Sequence, residues 1–411
     1  MEVPPATRVD RDPAADADPK RWRTLVLLSA AMMLSLSAWM TATALGPELQ
    51  QRWGLTAAQV GWLTTIVQLG FVAGTAVAAL LNLADIISSR AYFATSALLA
   101  AAANALLLLV PGYGPALAAR FATGFFLAGV YPPGMKMICT WFRSGRGLAV
   151  GTVVGALTVG KAMPYLLKAM GGPGMTAVVA GASIAGLVAA SLVAVAYREG
   201  PYPFPRRAFE WTRLSRLLRH RETMLATGGY LGHMWELYAM WTWVPAFLLA
   251  SAGTGVSYVL IDLVAFGAIA AGGLGCVWGG VMADRIGRAR VVNLAMTASG
   301  VCCVVAGFAF DGPFLLLALL TWVWGFFVVA DSAQFSALVT EVAPPDSVGT
   351  ALMLQTSAGF LLTMVTIQAV PMMVDAVEWR WAFAFLALGP VVGIMSIIQL
   401  AGAQPSVAPK G

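Results

Sequence analysis

The sequence predicts an all-α polytopic membrane protein with twelve transmembrane helices, arranged as two six-helix pseudo-symmetric bundles. The first observation is composition: 59% of the 411 residues are hydrophobic and only 11% are charged, whereas soluble domains carry about 25% charged residues. The second is that apolar segments long enough to cross a ~30 Å hydrocarbon core recur along the chain. The third is a repeat that relates the two halves.

The apolar segments form two sets of six, separated by a polar stretch. The first set predicts a bundle over 24–197, with spans at 24–45, 59–80, 91–110, 115–139, 147–169 and 174–197. The second predicts a bundle over 223–402, with spans at 223–249, 257–282, 290–310, 314–338, 348–372 and 380–402. The first span is too long for a signal-peptide core, so we expect it to be retained.

Three polar segments lie outside the bundles. Residues 1–23 are rich in proline, alanine and aspartate, which predicts a disordered terminus. Residues 198–222 include a basic amphipathic stretch, which predicts a linker helix lying on the membrane surface. Residues 403–411 form a short tail. The four cysteines lie in or beside apolar runs without metal-ligand spacing, so neither a metal nor a cofactor is expected.

The basic residues orient the spans. Of the 25 lysines and arginines, 19 fall in segments on the same side as the N-terminus and three fall on the other side. Cytoplasmic segments carry such an excess, so both termini are predicted to be cytoplasmic, in a plasma membrane such as a bacterial inner membrane. Because these residues sit between apolar stretches, the net charge of +6 does not indicate a nucleic-acid partner.

The sequences of the two halves share similar motifs at an offset near 200 residues. Gly124-Phe125-Phe126 in the fourth span matches Gly325-Phe326-Phe327 in the tenth, 201 positions later. Six spans per half in the same order imply parallel repeats about an axis normal to the membrane. That architecture places a substrate between the halves, near the midplane.

Several motifs then resemble the major facilitator superfamily over essentially the full chain. The run from Gly280 to Arg290 is similar to its G-x-x-x-D-R-x-G-R loop, and Arg120 with Gly124 is similar to its R-x-x-x-G in the fourth span. The segment from Trp141 to Arg146 resembles its W-F-x-x-x-R loop. A further segment, Tyr131 to Lys136, is loosely similar to carriers of small anions.

This resemblance implies an alternating-access transporter and a cytoplasmic gate. The implied gate residues are Asp284, Arg285, Gly287 and Arg288, with Asp85 as the first-half counterpart. A glycine-containing turn would let two helices meet while aspartate and arginine pair across the cytoplasmic face. The first half retains the aspartate but lacks the arginine and both glycines.

The cations predicted at membrane depth all lie in the first half. Ionisable groups there are costly and usually face a cavity or a partner. Lys161 lies about 21 Å along the fifth span, too deep to reach a surface. We expect it to bind an anion or to pair with another helix, with helix carbonyls as the alternative. Arg120 and Lys136 are further substrate-binding candidates, although Lys136 is close enough to the cytoplasm to snorkel.

The acids predicted at membrane depth all lie in the second half. Glu236 lies near the middle of the seventh span, and His233 is three residues earlier on the same helical face. A histidine and a carboxyl group can exchange protons near neutral pH, so Glu236, His233 and Asp331 are candidates for proton coupling. A lone histidine can instead simply donate to a carbonyl. Asp262 is expected at a solvated outer rim.

Aromatic and glycine patterns complete the candidate site. Trp235 and Tyr238 are candidates for a substrate cage, whereas Trp243 falls where an interfacial aromatic belt is ordinary. Glycines with near-regular spacing in the fifth span indicate close helix packing; they are Gly147, Gly151, Gly155 and Gly160.

Three functions remain open. The favoured one is a proton-coupled carrier of a small organic or inorganic anion, a monomer whose partners are its solute, protons and the lipid bilayer. The alternative is proton-driven efflux of amphipathic or cationic compounds, with Glu236 and Asp331 as the binding acids. A non-transporting receptor is the remote third, because the short loops leave little surface for partners. An enzyme is not expected, since no nucleophile–base motif or phosphate-binding glycine loop is evident.

Overall fold

Twelve helical spans build two bundles that meet along spans five and eight. The computed structural model describes residues 18–81, 83–143, 145–171, 174–202, 211–253, 255–344 and 347–403. Within these residues all regular structure is helical, and nine helices are long and apolar enough to cross a membrane as single elements. The remaining spans are broken or less apolar helices.

The first bundle contains spans one to six. They are Lys20–Leu36 with Thr41–Ala44, Ala57–Leu80, Ser89–Ala105, Tyr113–Leu127 with Tyr131–Cys139, Arg146–Gly171, and Met175–Ala196. A surface helix, Gly46–Trp53, joins spans one and two, and the short helix Leu83–Ile86 joins spans two and three. Every span lies where the sequence predicts one.

The second bundle contains spans seven to twelve. They are Arg221–Ser251, Tyr258–Ile286, Arg288–Ala309, Phe314–Ala330 with Ser332–Val342, Val348–Ala382, and Leu388–Ala403. Span eleven runs ten residues past its predicted end, with a non-helical residue at Glu378 (φ 59°, ψ 171°). A short 3₁₀ turn, Ala384–Ala387, then leads into span twelve, which therefore begins later than predicted.

Residues 1–17 and 404–411 lie outside the described residues, so the expectations for the terminus and tail stay predictions. In the linker the predicted helix is present at Trp211–Arg219, whereas 203–210 lie outside the description. Its Leu217 is fully buried against the second bundle, and Leu218, Arg216 and Arg219 are exposed. We call the face with the two chain ends the terminal face, and the other the opposite face.

The repeat predicted from the sequence is visible in the helix contacts. A Cβ atom at Gly124 would overlap the carbonyl oxygen of Val67, and one at Gly325 would overlap the carbonyl oxygen of Ala268. Gly325 lies 201 positions after Gly124, and Ala268 lies 201 positions after Val67. Because only glycine lets two backbones approach so closely, spans two and four pack like spans eight and ten. The same offset relates the contact of Gly74 with Phe125 to that of Gly275 with Phe326.

The bundles touch most closely along glycines of spans five and eight. A Cβ atom at Gly155 would lie 2.7 Å from the carbonyl oxygen of Gly273, and one at Gly273 would lie 2.9 Å from that of Gly155. Gly151 faces Cys276 in the same way, at 3.1 Å. The close packing predicted for the span-five glycines is therefore confirmed: Gly151 and Gly155 pack against span eight of the other bundle, whereas Gly160 approaches the carbonyl oxygen of Met33 in span one of its own bundle.

Breaks interrupt three spans near their midpoints. Span one is non-helical between Leu36 and Thr41, span four between Leu127 and Tyr131, and span ten at Asp331. A break frees backbone carbonyls that need other donors in the bilayer. It also redirects the side chains that follow it, and these breaks surround the centre of the molecule.

Candidate functional site

A cavity of about 70 Å³ lies between the two bundles, beside the breaks in spans one, four and ten. Spans one, four and five line it from the first bundle, and spans seven, ten and eleven from the second. In spans five and seven the lining residues nearest the opposite face are Lys161 and Trp241, so the cavity extends from them toward the terminal face. This is the midplane location predicted from the repeat.

Lys161 is the charged side chain at the inner end of the cavity. It is 5% exposed, and its ammonium donates a hydrogen bond to the hydroxyl of Tyr238. Its Nζ atom lies 4.5 Å from the centre of the Trp39 ring and 5.3 Å from that of Trp241. Trp39 belongs to the first bundle, whereas Tyr238 and Trp241 belong to the second. The lysine therefore contacts both halves at one point.

Lys161 forms no ion pair with a carboxylate among the described residues; aromatic rings surround it instead. Ring faces attract a cation, but they leave its formal charge unneutralised. The indole Nε1 atoms of Trp39 and Trp241 are buried and have no hydrogen-bond partner within the described part of the chain. The lysine thus lies against two indole rings whose N–H groups have no hydrogen-bond partner in the described residues.

His233 links two residues of span ten on another wall of the cavity. Its Nδ1 atom lies 2.8 Å from Asp331 Oδ1, and its Nε2 atom lies 2.9 Å from the hydroxyl of Ser332. Both span-ten residues sit at the helix break. The three residues form a buried acid–base group that reaches the cavity through His233 and Ser332.

The predicted pairing of His233 with Glu236 is wrong. Residues three apart on a helix point about 60° away from each other, and here the difference sends them to different neighbours. Glu236 accepts hydrogen bonds from Ser299 (2.9 Å), Cys303 (3.3 Å) and Trp324 (2.5 Å), all inside the second bundle. Glu236 is therefore buried behind the cavity wall and does not line the cavity.

Arg120 also lies away from the cavity. The guanidinium is fully buried and donates to the carbonyl oxygens of Ala38 (2.9 Å) and Trp39 and to the side chain of Asn104 (3.1 Å). Ala38 and Trp39 belong to the break in span one. This cation, predicted as a substrate ligand, thus satisfies carbonyls that the break leaves free and holds Trp39 in place.

Two other predicted substrate ligands lie outside the cavity lining. Lys136 is in the last turn of Tyr131–Cys139, partly exposed, toward the terminal face. Trp235 turns to the 3₁₀ turn before the twelfth span, where its Nε1 atom donates to the carbonyl oxygen of Phe385 (3.4 Å). Tyr238 is the cage residue that the structure brings to Lys161.

The loop after span eight is built as its motif predicts at Gly287, which has φ +88°. Arg288, however, donates hydrogen bonds to Glu341 (2.7 Å) and Gln334 (2.9 Å) of its own bundle. Arg288 therefore does not form the predicted aspartate–arginine pair across the terminal face. Asp284 faces Gly147 at the start of span five, a helix N-terminus that favours a carboxylate.

The remaining two gate candidates are Arg285 and Asp85. Arg285 is exposed on the terminal face. Asp85 lies in the helix Leu83–Ile86, and its side chain lies outside the described part of the structure.

Ionic and polar contacts close the opposite face between the bundles. Lys168 Nζ lies 3.1 Å from Glu48 of its own bundle and 3.5 Å from Asp262 of the other. Asp262 is 7% exposed and paired, so the predicted solvated rim position is wrong. Nearer the midplane, Thr363 of span eleven donates to Gln68 of span two.

Several cavity residues belong to no motif identified in the sequence: Trp39, Tyr230, Ser332, Ser336, Thr356 and Phe360. Two of these, Trp39 and Ser332, lie at helix breaks, which local sequence signals only weakly. The repeat offset does mark Trp39 as the counterpart of the middle of span seven.

Comparisons with known proteins agree on the family. The family model of the Major Facilitator Superfamily matches residues 27–276 and 251–410. A solved structure with the same fold is a bacterial homologue of the human lysosomal transporter Spinster, in an inward-facing and unoccupied conformation. It is 16% identical, with a TM-score of 0.67, over 94% of this chain and 96% of that chain. No curated protein matches the sequence significantly. The chain is a multi-pass membrane protein and belongs to the Major Facilitator Superfamily.

Proposed function

We propose that this transporter is secondary active and carries a small anion together with a proton by alternating access. The observation that carries the proposal is Lys161, a buried cation without a carboxylate partner among the described residues, at the inner end of a cavity between two bundles. A buried charge is stable only when paired or solvated. A bound anion would supply the missing partner.

The proton site in this proposal is the His233–Asp331 pair. Its members lie within 2.8 Å of each other, and His233 faces the cavity. Imidazole and carboxyl groups can each bind and release a proton, so the pair could hold the transported proton. Glu236, the third coupling candidate, has three hydrogen-bond donors and no cavity exposure, and we assign it a role in holding spans seven, nine and ten together.

The contacts between the bundles support a particular conformation. Lys168 and Asp262 join the two halves at the opposite face, whereas the cavity extends toward the terminal face. With the terminal face cytoplasmic, as the charge bias predicts, this is a state closed to the outside. Opening to the outside would require the ion pair at Lys168 to separate.

Efflux of cations fits the cavity less well. A cationic compound would meet the unneutralised charge of Lys161, and of its two predicted binding acids Glu236 lies outside the cavity while Asp331 is engaged by His233. The aromatic rings that would attract a cation already surround the lysine. Anion binding is therefore the function that the geometry supports best.

The test is uptake into proteoliposomes under an imposed pH gradient. Radiolabelled acetate, butyrate, succinate and nitrate serve as probes, and Lys161→Ala is compared with Lys136→Ala. We expect Lys161→Ala to abolish uptake and Lys136→Ala, which changes a lysine of the same bundle outside the cavity, to retain it. Anion uptake at wild-type rates in a folded Lys161→Ala protein would contradict the proposal.

A further inference from the structure

We infer that the carried anion is a short-chain monocarboxylate: one carboxylate group on a small apolar body. This inference rests on the proposed function and refines it. It follows from three properties of the cavity, namely its number of positive charges, the donors beside that charge, and the chemistry of the remaining walls.

The lining offers a single positive charge. Lys161 is the only lysine or arginine that lines the cavity in the described structure, since Arg120 is bonded to carbonyls and Lys136 lies elsewhere. A dicarboxylate would place its second negative charge against a part of the lining that holds no second lysine or arginine. Burial of an unpaired charge is strongly unfavourable, so the charge count selects monoanions.

The donors around the lysine fit a carboxylate. The ammonium has three N–H donors and uses one on Tyr238, and the indole N–H groups of Trp39 and Trp241 are unused. An ionised carboxylate is acceptor-only and offers about four acceptor sites on two oxygens. A carboxylate at Lys161 could thus accept from the remaining N–H donors of the ammonium, between the ring of Trp39 in one bundle and the ring of Trp241 in the other.

The remaining lining combines apolar and polar side chains. Its apolar part is formed by Leu36, Leu157, Met234, Leu237, Val329 and Phe360. An inorganic oxyanion such as nitrate gains nothing from these side chains, whereas an alkyl group gains free energy from their contact. The small size of the cavity, about 70 Å³, favours a short alkyl group.

The experiment is calorimetric titration of the full-length protein in nanodiscs with three sodium salts and one neutral compound. Butyrate, succinate and butyramide each have four carbons and carry one, two and no negative charges, and nitrate lacks an apolar body. We expect butyrate to bind at least tenfold more tightly than the other three. Across acetate, propionate and butyrate, affinity should rise up to about fourfold for each added CH₂ group.

Two variants separate this inference from the proposed function. Leu237→Asn, which adds a polar group beside the apolar lining residues, should flatten the chain-length series, whereas Lys161→Ala should abolish binding of every anion. Succinate or nitrate binding as tightly as butyrate in a Lys161-dependent manner would overturn the substrate class and leave the anion carrier standing. Absence of binding by every one of these anions, or binding that survives Lys161→Ala, would overturn both.

Discussion

Arg120 donates a hydrogen bond to the carbonyl oxygen of Ala38 at 2.9 Å, which ties a cation in span four to the break in span one. The arginine donates its hydrogen bonds to backbone carbonyls exposed by that break and to the side chain of Asn104. Because Trp39 follows Ala38 and touches Lys161 across the cavity end, the position of the indole depends on a residue that never meets the solute.

Replacement of Arg120 should therefore weaken the fold. We expect Arg120→Met to lower the free energy of unfolding by about 3 kcal/mol, since hydrogen bonds to a charged group contribute roughly 1.5–3 kcal/mol each. Thermal unfolding of the purified protein measures the effect, and Lys136→Met is the control. An Arg120→Met protein with an unchanged Tm would show that the carbonyls find other donors.

The two buried acids of the second bundle should differ in their roles. Asp331→Asn should abolish accumulation driven by a pH gradient but preserve exchange of labelled for unlabelled substrate, because exchange needs no net proton movement. Glu236→Gln should retain accumulation and instead lower the Tm, since one accepting oxygen would become an amide nitrogen that faces either Ser299 or the pair Cys303 and Trp324.

Both transport modes are measurable in the same proteoliposomes. The opposite pattern, with coupling lost in Glu236→Gln and retained in Asp331→Asn, would move the proton site from the cavity wall into the interior of the second bundle.

Glycine contacts between helices should be sensitive to a single methyl group. Gly325→Ala would place a Cβ atom onto the backbone of Ala268, so spans eight and ten would have to move apart. We expect a loss of stability of about 1–3 kcal/mol, the usual range for overpacking. Gly349→Ala is the matched control, because that helical glycine has open space at its Cβ position. Equal Tm values for the two variants would argue against the close approach.

The ion pair between the bundles should control access from the opposite face. In Asp262→Asn, with native cysteines replaced by serine and Thr65→Cys added in span two, labelling by a membrane-impermeant thiol reagent should increase. Asp311→Asn removes a carboxylate from an exposed pair with Arg380 at the same face, but within one bundle. It should leave labelling unchanged. Similar labelling in both variants would contradict a closing role for Asp262.

Periodicity and depth were enough to predict the spans and Lys161. A lysine about 21 Å along an apolar helix cannot reach water, so a central position follows from its place in the chain. The same reasoning placed His233 correctly in the middle of span seven. It could not identify Asp331 as the neighbour of His233, because the break that brings them together is a departure from helical periodicity.

Arg120 shows the complementary limit. Its depth indicated a buried cation, and family resemblance implied a functional role, but the carbonyls that it satisfies become available only through the irregular backbone at Ala38 and Trp39. Side-chain direction also separated Trp235 from Tyr238, which lie three residues apart yet serve different helices. Spacing alone assigns a face of a helix, whereas the neighbour on that face comes from tertiary packing.

Helical breaks and polar residues also explain which spans are hardest to recognise by hydropathy. Spans one, four and seven are absent from the nine helices of the described residues that are apolar and long enough to cross a membrane. These same three spans contribute Trp39, Tyr131, His233 and Tyr238 to the cavity. All three weakly apolar spans thus face the centre of the molecule, so a faint hydrophobic signal in a chain of this kind can mark helices that border an internal cavity.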